Sequence, residues 1–109
     1  MTIDDVQTFT ENEIGTRWHE TNDHNVDLQK SLTTPRHVEC RNTFPQPDAP
    51  KPPVLQMWLV LEETPGSQDG YVILGNLDCS RFGLGCWDNN GKVVFLGYHG
   101  SFWNAFQGM

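Results

Sequence analysis

Between residues 56 and 98 the chain reads as short apolar runs cut by turn residues, and this restricts the fold more than any other feature. Met57-Trp-Leu-Val-Leu61 is a continuous apolar run, the pattern of a strand covered on both faces. TPGSQDG (64–70) follows with the chemistry of a turn. Residues 71–74, YVIL, read as the next strand. In RFGLGCW (81–87), Phe82, Leu84 and Cys86 fall on one face of a strand and Gly83, Gly85 and Trp87 on the other. DNNG (88–91) is the strongest local signal, because Asn90-Gly91 suits the positive φ angles of a type I′ hairpin turn. KVVFLGY (92–98) then returns as the last strand. Consecutive strands usually pair, so runs 56–62, 71–75, 81–87 and 92–98 predict an antiparallel meander.

The flanking segments add helices and one more strand. Ile3, Val6, Phe9, Ile14 and Trp18 recur at roughly helical spacing, and Thr2 or Asp4 is placed to cap the start. Thr10 and Gly15 weaken this pattern, so an interrupted helix is expected. Residues 19–35 are polar and poorly periodic, with Val26, Leu28 and Leu32 as their anchors to a core. Pro35 reads as a boundary. After it HVECRNTF alternates with period two, which predicts a half-buried strand over 36–44. Five prolines between Pro45 and Pro53 make an extended connector. At the far end Ser101 precedes FWNAFQ and Gly108 follows it, the pattern of a short helix over 102–107 with a serine N-cap and a glycine stop. The expected architecture is one α+β domain spanning 1–109, with a mainly antiparallel sheet of about five strands and helices from both ends packed on it.

Little in this pattern carries chemistry. His99 stands two residues from Ser101, but no G-x-S-x-G elbow accompanies them, so Ser101 reads as a cap and His99 as a strand-end residue. His19, His24, His37 and His99 with Cys40, Cys79 and Cys86 match no zinc spacing. No phosphate loop is present, and no cofactor is expected. Glu62 and Glu63 follow the apolar run, and neighbours on a strand point to opposite faces, so they form no carboxylate pair by themselves. Leu-Gly recurs at 74–75, 84–85 and 96–97, and glycines lying side by side in a sheet would leave a shallow groove unless helices cover it.

Charge points toward protein partners. The net charge is −7, and residues 1–30 hold seven acids against two bases. The seven Lys and Arg are scattered singly, so direct contact with nucleic acid is not expected. The opening MTIDDVQTFTENE has neither a basic start nor an apolar stretch, and no run approaches 18 apolar residues. No secretory signal and no membrane span are therefore expected, and the expected location is the cytoplasm. The odd, sparse cysteine set fits that compartment.

RNTFP (41–45), MWLVLEETP (57–65), GYVI (70–73), FGL (82–84) and VFLGYHGSF (94–102) together resemble a pattern found in small uncharacterised bacterial proteins. Some small acidic domains of that kind resemble the immunity proteins that neutralise toxins. The resemblance implies a binding partner rather than a reaction, and carries over no functional residue. The expected function is a non-enzymatic interaction module that meets a basic protein through Glu62, Glu63, Asp69, Trp87, Asp88 and His99; Trp87 beside Asp88 would suit a hot spot if exposed, but a place in the core is the favoured reading of that tryptophan. Two alternatives stay open. One is a small-ligand binder or enzyme that uses the Leu-Gly groove with Glu62 or His99 nearby. The other is a subunit of an assembly, held by Trp18 and Trp87 on one apolar patch.

Overall fold

The computed structural model describes residues 1–42 and 54–109. The connector predicted over 45–53, and the end of the first strand at 43–44, lie outside the described residues. The elements are α1 (Ile3–Ile14), α2 (Leu28–Ser31), β1 (Leu32–Asn42), β2 (Val54–Thr64), β3 (Asp69–Gly75), β4 (Phe82–Trp87), β5 (Val93–Gly100) and α3 (Phe102–Gln107). The protein is α+β, and β1 to β5 pair in chain order as an antiparallel meander.

The sheet does not end in two free edges. Cys40, Arg41 and Asn42 of β1 pair in parallel with Val93, Val94 and Phe95 of β5, which closes a five-stranded barrel. An odd number of alternating strands leaves the first and last parallel, so the closing pair must be of this kind. The register round the barrel runs from Leu32 to Leu61, Ile73, Leu84 and Gly97. Gly97 lies beyond Phe95, the partner of Asn42, so the circuit returns to the first strand more than ten residues from Leu32, where it began, past the last described residue of β1. This large stagger tilts the strands and keeps a barrel of few strands wide enough for side chains.

Two apolar cores follow from the two sheet faces. Cys40, Met57, Leu59, Val72, Leu74, Val93 and Phe95 fill the barrel. Trp58, Val60, Leu61, Ile73, Phe82 and Leu84 face outward and are covered by Val6 and Ile14 of α1 and by Phe102, Ala105 and Phe106 of α3. The apolar run of β2 feeds both cores, which is why Met57 to Leu61 shows no alternation and is buried throughout.

A β-bulge at Val60 determines which residues of β2 go where. Leu59 pairs with Leu74 inside the barrel, yet Leu61, two residues on, pairs with Ile73 on the outside. One extra residue flips the phase of the strand. Glu62 therefore lies opposite Val72, on the interior face.

The helices obey their local signals with two exceptions. Thr2 caps α1 through a capping box, its hydroxyl accepting from Asp5 N while the Asp5 carboxylate accepts from Thr2 N. The expected interruption at Thr10 does not occur. Thr10 is buried and donates its hydroxyl to Val6 O, so its polar atom is satisfied inside one continuous helix. Gly15, at φ 61°, terminates it. Ser101 caps α3, accepting from Asn104 N. Gly108 ends α3 at φ −80°, not in a left-handed turn. It is held to glycine by space, since a Cβ there would lie 3.0 Å from the His99 ring.

Two further expectations are corrected, and one residue is added to those expected as anchors, Val26, Leu28 and Leu32, all of which pack on the helix-covered core. β1 begins at Leu32 and runs through Pro35, because the pairing with β2 skips between Leu32 and Arg36 and leaves the imide at an irregularity. The DNNG turn is not type I′. Asn90 does not take a positive φ and only Gly91 does, at 72°. With Gly91 N donating to Asp88 O and Asp88 N to Lys92 O, the loop has three residues and its glycine takes the left-handed position. The polar segment 19–27 is tied down by a residue its sequence pattern did not single out. Buried Asn22 donates to Phe106 O and the Met109 sulfur, and its Oδ1 accepts from His24 N and Val26 N.

Candidate functional site

Among the described residues three pairs seal the barrel, and above Cys40 the seam opens. There β1 pairs with β2 alone, while β5 has given way to the 88–92 loop. The opening is a cleft of about 810 Å³. Arg36, Glu39 and Arg41 stand along one side, with Trp87, Asp88 and Lys92 on the other. Val38, Val54 and Val93 supply apolar surface between them.

Glu62 lies behind this cleft. It is only 4% exposed, and Arg36 reaches from the cleft wall to place Nη2 at 3.5 Å from Glu62 Oε1. A carboxylate this buried requires a partner of opposite charge. Trp87 packs on the barrel core and is half-buried, the core role favoured for it over that of an exposed hot spot. Its indole N–H is buried and meets no hydrogen-bond acceptor among the described residues.

Asp88 organises the loop. Its Oδ1 accepts from Asn90 N and Lys92 N at 2.8 and 2.9 Å, and its Oδ2 lies 3.9 Å from Arg41. The backbone donors of Lys92 and then Asn90 hold its pKa below the ordinary aspartate value of 3.8. A depressed folded-state pKa means that the charge stabilises the fold above 3.8, and that this stability is lost as pH falls through the folded value. Asp5, at the Thr2 cap, and Asp78, with Ser80 as donor, are shifted the same way. Urea midpoints are therefore expected to fall steadily below about pH 4. The Asp88→Asn variant should lose less over that window than the parent, and superimposable pH profiles would show that the loop carboxylate contributes nothing.

The other residues expected at the site lie apart from the cleft. Glu63 points outward, where its Oε2 lies 2.9 Å from His24 Nδ1 and its Oε1 accepts from Tyr71 N, covering a second irregularity of the β2–β3 hairpin. Asp69 is exposed at the start of β3 and accepts from Gly70 N. His99 lies near the opposite end of β5 beside α3, where Asn104 Nδ2 donates to its carbonyl. Among the described residues no Leu-Gly groove forms. A Cβ on Gly83 would meet the Gly97 carbonyl and the Phe95 ring, one on Gly85 the Leu74 methyl and Val94 O, and one on Gly75 the Cys79 sulfur and Phe82 ring. The glycines make room for neighbours already in place. Nor do Trp18 and Trp87 share a patch, since they pack on different cores.

The cysteines divide in the same way. Cys40 lies inside the barrel and Cys79 in the helix-covered core. Burial pushes the Cys40 thiol up to about 12, and burial with Asp78 nearby pushes Cys79 up to about 11. Such thiols behave as small apolar groups. Among the described residues no three His, Cys, Asp or Glu side chains gather as a metal ion requires.

A second surface stands out on α1. This helix carries Asp4, Asp5, Glu11 and Glu13 and no base. Phe9 stacks on Phe82 at 6.1 Å between ring centroids yet remains 38% exposed. Asp5 and Glu13 lie four residues before and after it, on the same helix face. An exposed aromatic ring thus sits between two carboxylates.

Fold and surfaces together define a small closed β-barrel with a helical cover on one side, a charged mouth and an acidic helix. No family model matches the chain, and neither does any curated protein or solved structure. Among the described residues no helix is long and apolar enough to cross a membrane.

Proposed function

We propose that this chain is a non-enzymatic protein-interaction module, of the immunity type, that docks on a basic protein through the outer face of α1. The observation that supports this reading is Phe9 held between Asp5 and Glu13 on a helix with four acids and no base. An aromatic ring in the middle of an acidic surface matches the division of labour at many interfaces. The charges raise the association rate and exclude acidic partners, and the desolvated ring supplies the affinity. Asp23, Asp27 and Glu20 in the following segment extend the acidic surface, with Arg17 turned toward Trp103 and Glu20.

The reading is tested by placing a photo-crosslinking phenylalanine analogue at position 9 and irradiating the protein in lysate of its source cells. A basic protein is expected as the product, with its yield cut by about tenfold in roughly 0.5 M salt, where charges more than a few ångströms apart are screened. Glu13→Lys should reduce the yield at low salt. Cross-linking that ignores both salt and Glu13→Lys would overturn the proposal.

A further inference from the structure

The charges along the barrel mouth run against the rest of the molecule. The chain carries −7, yet three of the six described Lys and Arg residues, Arg36, Arg41 and Lys92, line this one cleft. Its two acids are occupied. Glu39 accepts from Gln56 Nε2 at 3.0 Å, and Asp88 accepts from two backbone N–H groups of its own loop. The cations are engaged far less. Arg36 and Arg41 each meet a carboxylate only at 3.5 and 3.9 Å, and a guanidinium has five donors. Lys92 makes no ion pair within 4 Å among the described residues.

Trp87 is a separate observation. Its ring lines the cleft while its indole N–H is turned away from solvent and meets no acceptor among the described residues, where buried donors are nearly always satisfied. The cleft volume of about 810 Å³ lies in the range that holds a small organic molecule. Val38, Val54, Val93 and the Trp87 ring offer such a molecule apolar contact. The donors surround those surfaces.

From these features we infer that the barrel mouth is a binding site for a small organic anion, one with a flat or branched apolar body and a carboxylate. The body lies against Trp87 and the valines. The carboxylate accepts from Lys92 and from the open donors of Arg36 or Arg41. This site is distinct from the α1 face, and its occupancy does not depend on the partner proposed for that face.

Calorimetric titration of the full chain with 2-naphthoate, 2-naphthamide and inorganic phosphate separates the terms. The naphthoate should bind with submillimolar affinity, and the neutral amide and the bodiless phosphate each at least about tenfold more weakly. Lys92→Gln and Trp87→Phe should weaken naphthoate binding by about three- to tenfold, the first because it removes a charged donor and the second because it shrinks the apolar surface under the ligand. The indole proton resonance of Trp87, assigned by its absence from Trp87→Phe, should shift on adding naphthoate to the parent protein, which gives a readout independent of variant folding. Equal affinity for naphthoate and its amide, or no binding of naphthoate together with an unmoved Trp87 resonance, would overturn the inference.

Discussion

Gly83→Ala should destabilise the protein by about 3 kcal/mol, near the upper end of what overpacking a core costs. The added methyl would point into the barrel, overlap the Gly97 carbonyl oxygen, and lie 3.0 Å from the Phe95 ring. A flexible side chain in the way would swing aside at little cost. A backbone carbonyl of the paired strand gives way only if the β4–β5 register itself shifts, and this register already slips once between Phe82 and Gly83. Gly66→Ala is the control. Gly66 has φ 82° and open space around its would-be Cβ, so it should lose only the cost of a left-handed residue, about 1 kcal/mol. Urea denaturation of both variants makes the comparison. Gly83 has no positive φ, so equal losses would mean that β5 moves aside at little cost and that its close approach does not hold Gly83 to glycine.

Phe102→Ala is the other large effect, with an expected loss of about 3–5 kcal/mol. Phe102 is fully buried, meets Phe82 edge-on at 5.8 Å, and stacks parallel to Phe106 at 6.3 Å. α3 has six residues, too few to be stable alone, so its helical state rests on these contacts and on the Ser101 cap. Removing the ring takes away the main reason for the helix to exist. It also uncovers Phe82, on which Phe9 of α1 is stacked. For a domain of this size the loss corresponds to a fall in Tm of roughly 4–8 °C per kcal/mol. Ser101→Ala should cost about 1 kcal/mol by comparison. A Phe102→Ala protein that melts within a few degrees of the parent would show that the helix merely rests on the barrel.

Local chemistry was legible wherever a signal and its consequence lie within a few residues. Ser101 before FWNAFQ gave the bounds of α3 correctly, and Thr2 is the cap of α1. The alternation of Phe82 and Leu84 against Gly83 and Trp87 is the one observed, since the pairing of β4 with β3 has no bulge. Thr10 and Pro35 mislead for a related reason. Each disfavours its element on intrinsic propensity, and each is accommodated by a contact or pairing irregularity that propensity does not contain.

Glu62 shows where local reading stops. Counting by twos from Met57 puts Leu61 inside the barrel with Met57 and Leu59, and Glu62 outside. The extra residue at Val60 reverses this, and nothing in MWLVLEE marks a bulge. The same limit applies to Arg36, Arg41 and Lys92. Along the chain they are isolated charges, and only the parallel pairing of β1 with β5 sets them around one opening. The positions of the turns, the caps and the meander are local, written in residues close enough to interact before the chain folds, and the amino-acid sequence alone determined them, though not the type of the DNNG turn. Barrel closure joins strands more than fifty residues apart, Cys40 to Val93, and its free energy comes from burying both cores at once. No short segment carries that information, so the inward carboxylate, the charged mouth and the filled glycine surface were decided by the tertiary structure.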